Sequence, residues 1–125
     1  MISYAAKVGQ DLVGFVACGP ADNYKEGFRD EDTGKLLYHF DEIGPNSAYI
    51  TAREVRPSLQ NRGIGETLFD LFAEEAKRRG YSSVSGHARE NASIHTVRKH
   101  NPQIEIHCPD YWGTGETYVF YKLLL

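Results

Sequence analysis

The amino-acid sequence predicts an α/β fold: one domain, residues 1–125, with a mixed sheet in the element order β-β-β-β-α-β-α-β-β. Three observations lead to this class. The length of 125 residues suits a single domain. The composition, 41% hydrophobic and 25% charged, is that of a folded globular chain. Strand-like segments fill the first half, and one strongly amphipathic segment separates them from the mixed elements of the second half.

The first half of the chain begins with a predicted hairpin. Residues 3–18 read SYAAKVGQDLVGFVAC, and the turn formers at residues 9–11 separate two β-rich segments. Residues 19–34 consist of turn formers and charges, which predict a long exposed loop. Residues 35–43, KLLYHFDEI, predict a short strand. The whole segment 19–46 is expected to be an exposed insertion, whose acidic residues can attract a cationic amine.

The middle of the chain predicts a strand followed by the main helix. Residues 47–56, SAYITAREVR, alternate between two unlike faces, with Tyr49 and Arg53 on the same one. After a polar loop, apolar residues recur every four positions from Ile64 to Ala76, opposite acidic and basic side chains. This spacing predicts an amphipathic helix, which a glycine after its last basic turn brings to an end.

The last third of the chain predicts three more strands and a second helix. Residues 81–88, YSSVSGHA, fit a short strand, and residues 91–100 fit a helix with Asn91 as its N-cap. Residues 103–108 and 116–125 then predict two strands, QIEIHC and ETYVFYKLLL. The strands on either side of the main helix are expected to pair in parallel.

Charge and composition argue against several classes of partner. The net charge of −3 and the pI near 5.9 provide no field that attracts nucleic acid. No apolar run has the length of a membrane span, and no signal peptide is apparent. The sequence therefore predicts neither a nucleic-acid nor a membrane partner. Cys18 and Cys108 are expected to be free thiols, and the protein is expected to be cytoplasmic.

The loop VRPSLQNRGIG, residues 55–65, has the clearest chemical meaning. It places Gly63 and Gly65 at the start of the main helix, where the first N–H groups lack partners and carry partial positive charge. Without Cβ atoms there, a phosphate can approach the backbone, and Arg62 adds a charged donor. Common phosphate-binding patterns fit poorly: GIGETL lacks the lysine of a Walker A loop, and Leu68 replaces the third glycine of the dinucleotide fingerprint.

In its context, this loop resembles motif A of the GCN5-related N-acetyltransferase (GNAT) superfamily. That motif reads [Q/R]-x-x-G-x-[G/A], which Gln60, Gly63 and Gly65 match. The hairpin KVGQDLVGFVA, the helix that begins at Asn91 and the two final strands are also similar to the family. The resemblance covers residues 3–125. It implies a GNAT-like mixed sheet whose central parallel strand pair splays apart.

The resemblance also implies a co-substrate. In the family, the loop amides bind the pyrophosphate of acetyl-CoA, and the backbone of the preceding strand binds the pantetheine arm. Acetyl-CoA is therefore expected here, without a metal. The cofactor-binding residues that the resemblance implies are Val55, Arg56, Gln60, Asn61, Arg62, Gly63, Ile64, Gly65, Asn91 and Arg98.

The implied reaction is direct transfer in a ternary complex, in which a deprotonated amine attacks the thioester. His87 and Glu54 are the first candidates for the base, followed by Glu90, and the ordinary histidine pKa near 6.5 suits the task. Arg98 stands where many family members carry a tyrosine that protonates the leaving thiolate. An arginine can stabilise a thiolate or a phosphate but is a poor proton donor. His95, Tyr111 and Tyr118 are therefore candidates for the acid.

Several alternatives stay open. Arg98 stands in the position of the family's tyrosine, and the chain is expected to lack the family's first strand and two helices. Both features favour a catalytically degenerate module that binds CoA or a partner protein. Transfer of another acyl group is a further alternative. The histidines between His87 and His107 suggest zinc, but no C-x-x-C or H-x-x-x-H pair supports it. The acceptor can be a small molecule, a peptide N-terminus or a protein lysine. The terminal segment YVFYKLLL can pair across a homodimer.

Overall fold

The computed structural model describes residues 2–20, 43–90, 92–109 and 115–125. In this part of the chain, six strands form one mixed sheet, and two helices pack on one of its faces. The predicted α/β fold is confirmed. The elements are β1 (Ile2–Val8), β2 (Asp11–Pro20), β3 (Ser47–Val55), a 3-10 turn (Pro57–Leu59), α1 (Ile64–Arg78), β4 (Ser83–Arg89), α2 (Ala92–Arg98), β5 (Ile104–Cys108) and β6 (Tyr118–Leu124).

The predicted insertion at residues 19–46 can be compared with the structure only at its ends. Strand β2 continues to Pro20, two residues into the segment that predicted a loop. At the other end, Ile43 is fully buried. The predicted strand at residues 35–43 lies outside the described residues except for Ile43, and the acidic residues of the insertion also lie outside them. Neither described helix is long and apolar enough to cross a membrane.

The sheet divides at its centre, between β3 and β4. The strand order is β1-β2-β3-β4-β6-β5, and β3–β4 is the parallel pair among the described strands. Its pairing runs only from Ser47 opposite Ser83 to Tyr49 opposite Ser85. Both strands continue, β3 to Val55 and β4 to Arg89, without pairing to each other. We call the gap between these unpaired halves the splay; the predicted splayed pair is confirmed.

A β-bulge in β3 reverses the faces of the strand. Ala17 pairs with Ala52 and Cys18 pairs with Ile50, so that Thr51 is the extra residue. The Thr51 hydroxyl donates a hydrogen bond to the Ala17 carbonyl oxygen at 3.2 Å. Because side chains alternate along a strand with a period of two, one extra residue turns every later side chain to the other face.

The contacts of β3 show this reversal. Before the bulge, Tyr49 packs with Phe120 on the face away from the helices, which we call the open face. After the bulge, Arg53 lies over the Phe69 ring of α1, 5.3 Å from its centroid, on the helix face. Val55 is also on the helix face, 3.5 Å from where a Cβ at Gly65 would lie. The prediction that Tyr49 and Arg53 share a face is therefore wrong.

Each face of the sheet has its own apolar cluster. The open face carries Ile43, Tyr49, Cys108 and Phe120. Cys18 lies in the other cluster; both cysteines are free, and burial raises the pKa of each thiol. The helix-face cluster is larger and contains Ile2, Val16, Cys18, Ala48, Ile50, Leu68, Phe69, Phe72, Ala76, Val84, Ala88, Ile94, Val97, Val119, Tyr121 and Leu123.

Helix α1 covers the helix face along the stripe that the sequence predicts. Its buried side chains recur at intervals of three and four residues, which places them on one side of the helix. Burying each large apolar side chain contributes about 2 kcal/mol. The chain leaves the helix at Gly80, whose φ of +86° is left-handed. The buried residues of α1 are Leu68, Phe69, Phe72, Ala73 and Ala76.

The last turn of α1 carries ion pairs centred on Glu75. Its carboxylate accepts hydrogen bonds from Arg78 Nε at 2.8 Å and from Arg79 Nε at 2.9 Å. The hydrogen bond from Arg78, followed by that from Arg79, lowers the pKa of Glu75 to about 2. The folded pKa is thus below the ordinary glutamate value of about 4.3. The resulting stabilisation is complete above about pH 4.3 and is lost as the pH falls toward 2.

Replacing Glu75 by glutamine is therefore expected to lower the urea midpoint of unfolding slightly at pH 7 and to leave it unchanged near pH 2. The effect is small because the arginine partners are solvent-exposed. Urea titrations of both proteins at the two pH values measure it. Glu74→Gln serves as the control, since this exposed neighbour has no ion pair among the described residues. Equal changes at both pH values would contradict the pKa argument.

Candidate active site

The loop between β3 and α1 presents backbone N–H groups at a helix start. Asn61 and Gly63 have left-handed φ angles of +63° and +81°, which turn the chain sharply into the helix. Gly63 is the N-cap and supplies no side-chain hydrogen bond. The Thr67 N–H donates to the Gly63 carbonyl oxygen at 3.0 Å, so the N–H groups of residues 64–66 have no partner within the helix. Arg62 is exposed beside them. The helix start therefore presents N–H groups and a cation of the kind that a phosphate needs, while phosphate binding there stays a prediction.

Gln60 and Arg56 hold this loop to the sheet. The Gln60 Nε2 donates a hydrogen bond to the Val55 carbonyl oxygen at 3.0 Å. The Arg56 N–H donates to the Val13 carbonyl oxygen at 2.7 Å, and its Nη2 donates to that of Leu12 at 2.9 Å. These side chains therefore shape the loop, while their candidate role in cofactor binding stays a prediction.

Val55 presents its backbone to the splay. The Arg56 N–H points to β2, and successive N–H groups of an antiparallel strand point to opposite edges. The N–H and carbonyl oxygen of Val55 therefore point toward β4. No strand of the described chain pairs with them, since the β3–β4 ladder ends at Tyr49 and Ser85. The Val55 carbonyl oxygen already accepts one hydrogen bond from Gln60, so the N–H and the second lone pair of the carbonyl are what a ligand with amide groups can use, as a missing strand would.

A tyrosine–histidine pair lies on the open face, where the splay begins. The Tyr49 hydroxyl and His87 Nδ1 share a hydrogen bond of 2.8 Å. Tyr49 is 2% exposed, and the His87 ring also packs on Phe120, with centroids 5.2 Å apart. These contacts fix the orientation of the imidazole. In the tautomer in which Nδ1–H donates to the Tyr49 oxygen, Nε2 carries the lone pair that a general base needs.

Further polar groups follow His87 along the open face. Glu54 lies between two helix-face residues of β3 and therefore points to this side. On β4 and β6, Arg89 Nε donates to the Tyr118 hydroxyl at 3.3 Å and pairs with Glu116 at 3.1 Å. The hydrogen bond and charge of Tyr118, then the charges of Glu116 and Glu54, raise the pKa of Arg89. The structure thus brings three predicted catalytic residues, His87, Glu54 and Tyr118, to one face.

Two other predicted site residues, Glu90 and Arg98, lie elsewhere. Glu90 pairs with His107 of β5. His107 is on the helix face, because its direct partner in the β5–β6 ladder is Val119 of the helix-face cluster. Glu90 is therefore on the opposite side of the sheet from His87. Arg98 pairs with Glu105 at 2.9 Å, and this hydrogen bond raises the pKa of Arg98. Asn91 lies outside the described residues.

A groove of about 250 Å³ lies between the start of β2 and the end of β3. Residues 12–15 and 54–57 line it. Phe15 and Glu54 are direct partners in the β2–β3 ladder, so a ring and a carboxylate stand side by side at the outer end of the splay. Sequence reasoning did not find this groove, because Phe15 belongs to a hairpin that predicted only a strand.

Potential metal ligands are dispersed. Within the described ranges of the chain, no group of three histidine, cysteine, aspartate or glutamate side chains is placed to hold a metal ion. The site is thus built from backbone amides, one tyrosine–histidine pair and a few charged groups.

The fold and this site together define an acetyltransferase-like protein: a mixed sheet that opens between two central strands, beside a helix start whose first N–H groups have no partner within the helix. The model of the acetyltransferase (GNAT) family matches residues 1–101. The chain belongs to this family. A search of curated proteins found no match.

Solved structures with the same fold support this assignment. An IAA acetyltransferase from Bacillus cereus ATCC 14579 superposes with a TM-score of 0.68 at 18% identity, over 98% of this chain and 77% of that one. The ribosomal-protein-S18-alanine N-acetyltransferase from Escherichia coli superposes with a TM-score of 0.68 at 13% identity, over 98% of this chain and 68% of that one. A protein from Bacillus anthracis str. Ames is described as a streptothricin acetyltransferase and was solved with acetyl coenzyme A. It superposes with a TM-score of 0.63 at 14% identity, over 98% of this chain and 61% of that one. At these identities the likeness shows the fold.

Proposed function

We propose that this chain, acting as one domain, transfers an acetyl group from acetyl-CoA to a primary amine by direct attack in a ternary complex. The observation that carries the proposal is the splay beside the helix start. The N–H groups of residues 64–66 and Arg62 suit a pyrophosphate, and the exposed backbone edge at Val55 suits the amide-containing arm. When bound, acetyl-CoA supplies the thioester.

The open face supplies the proton chemistry in this proposal. In this proposal, His87 Nε2, which is buried in the structure, accepts the proton that the attacking nitrogen loses, directly or through one water molecule. Tyr49 holds the imidazole in place through its 2.8 Å hydrogen bond. The groove with Phe15 and Glu54 suits an ammonium group attached to an apolar body, since both an aromatic face and a carboxylate attract a cation. Backbone N–H groups of β3 at the splay stabilise the oxyanion.

Thermal unfolding with and without acetyl-CoA tests the first half of the proposal. Ligand near 100 times its Kd stabilises the folded state by about 2.7 kcal/mol. In a domain of this size, the midpoint is expected to rise by about 5–10 °C. NADH and ATP are the controls, since they also carry phosphates but lack the pantetheine arm. A rise with all three ligands would indicate a general anion site, and a rise with none would contradict the assignment of the loop.

A second candidate function is a binding module without turnover. The pairing of Arg98 with Glu105 favours it, because this arginine is engaged in an ion pair at the position where the family often carries its acid. Release of free CoA thiol in the presence of a panel of amines separates the two candidates. Acetyl-CoA-dependent stabilisation without thiol release for any amine would favour the binding module.

A further inference from the structure

Arg53 lies at the splay and makes its contacts on the helix face. Its Nη2 donates a hydrogen bond to the Ser93 carbonyl oxygen in the first turn of α2, at 2.6 Å. Its guanidinium stacks on Phe69 of α1, 5.3 Å from the ring centroid. Strand β3 and both helices therefore meet at this one side chain, directly beneath the gap between β3 and β4.

Among the described residues, no negative charge is paired with Arg53. Its Nη1 is buried and has no hydrogen-bond partner, and no carboxylate in the described part of the chain forms an ion pair with it. Its neighbour Tyr121 is neutral, because burial raises the pKa of this phenol to about 12. Burying the Nη1 donor and the positive charge of Arg53 without described partners costs free energy of folding, which suggests that a ligand group supplies the missing partner.

The geometry of the splay indicates which ligand group this is. Val55 offers its backbone to the pantetheine arm, and Arg53 stands two residues, about 7 Å, closer to the point where the strands join. An arm that enters from the loop and extends along β3 brings its thioester end toward Arg53. His87 and Tyr49 lie on the open face, whereas the Arg53 guanidinium lies on the helix face. The amine and the leaving sulfur can therefore occupy opposite sides of the carbonyl carbon.

We propose that Arg53 contacts the sulfur of CoA and stabilises the thiolate that leaves. This inference rests on the proposed acetyl transfer. The amine nitrogen forms a bond to the thioester carbon, and His87 accepts the proton that the nitrogen loses. When the C–S bond breaks, its electron pair stays on sulfur as a thiolate, which pairs with the guanidinium and needs no proton from the protein at that moment. The family's tyrosine acid is then dispensable, which accounts for the arginine in the Arg98 slot.

Binding of CoA and of desulfo-CoA to the intact protein tests this role separately from turnover. Wild type is expected to bind CoA tenfold or more tightly than desulfo-CoA at pH 8, and thiolate absorbance near 240 nm is expected to show the bound thiol ionising about one pH unit or more below free CoA. Arg53→Gln is expected to remove both differences and to lower kcat by about 100-fold. Glutamine keeps a donor but is two bonds shorter than arginine, so the thermal midpoint of the variant without ligand is measured to check that the contact with α2 is not needed for folding. Arg53→Lys is expected to restore part of the thiolate shift.

The controls separate failure of this inference from failure of the proposed function. Arg78→Met removes an arginine from the far end of α1 and is expected to behave as wild type. If wild type transfers acetyl groups but Arg53→Gln keeps the CoA preference and the thiol shift, Arg53 does not contact the sulfur and the inference is overturned. Tighter CoA binding by the variant would also overturn it, since Arg53 would then obstruct the splay. If wild type binds no CoA, the proposed function fails with it.

Discussion

Replacing Gly65 by tryptophan is expected to abolish the stabilisation of the protein by acetyl-CoA. A Cβ at this position would lie 3.5 Å from the Val55 side chain, at the point where the helix start meets the splay. An indole there covers the N–H groups that an anion needs and the backbone edge of β3. The thermal midpoint with saturating acetyl-CoA should therefore equal the midpoint without it, a loss of about 5–10 °C in ligand response.

Gly65→Ala is the matched control for that substitution. The methyl group meets its nearest neighbour at an ordinary van der Waals distance of 3.5 Å, and Gly65 has no left-handed φ. Alanine also favours the helix by about 0.5–1 kcal/mol over glycine. This variant should fold at least as stably as wild type and keep its response to acetyl-CoA. Normal binding by the tryptophan variant would show that the ligand does not approach this helix start.

His87→Gln is expected to lower kcat by a factor of about 100 to 10,000, the usual contribution of a general base, while the KM for acetyl-CoA stays unchanged. Glutamine keeps a polar side chain of similar reach but cannot accept the proton. Initial rates of CoA release, with an amine that the wild type acetylates, measure the effect. His100→Gln, just after α2, where the imidazole pairs with Asp70 of α1, should behave as wild type.

Replacing Tyr49, the hydrogen-bond partner of His87, is expected to lower kcat by less than replacing His87 itself. Tyr49→Phe keeps the buried ring and removes only the hydroxyl that meets Nδ1 at 2.8 Å. It should lower kcat by about tenfold, because the imidazole loses the contact that selects its tautomer. If both variants retain full activity, the base is another group, and Glu54 is the next candidate on the same face.

Sequence reasoning succeeds where local chemistry decides the structure. The turn at residues 9–11 separates two β-rich segments, and the fourfold spacing from Ile64 to Ala76 is explained by a helix. The glycine loop was recognisable because its backbone N–H groups and its lack of Cβ atoms are properties of the sequence itself. These features also carry the family resemblance, which the family model confirms.

The sequence could not show which side chains meet across the sheet. Thr51 looks like any strand residue, and only its pairing with β2 reveals the bulge. Simple alternation along β3 predicts Arg53 on the same face as Tyr49, so its place beneath the splay follows only from the bulge. Tyr49 and His87 are far apart in the chain and meet because their strands are parallel neighbours. The roles of Asn91 and of the acidic insertion, the cytoplasmic location and the homodimer stay predictions.

The short parallel ladder has a mechanical consequence. Among the described residues, strand pairing joins the two halves of the sheet, β1-β2-β3 and β4-β6-β5, only from Ser47 to Tyr49. An acetyl-CoA molecule bound in the gap as proposed would hydrogen-bond the unpaired edge of β3. Part of its binding free energy would then stabilise the two halves of the sheet against each other. In the proposed reaction, ligand binding and rigidity of the sheet are then coupled: bound acetyl-CoA bridges the two halves, and the release of CoA removes that bridge.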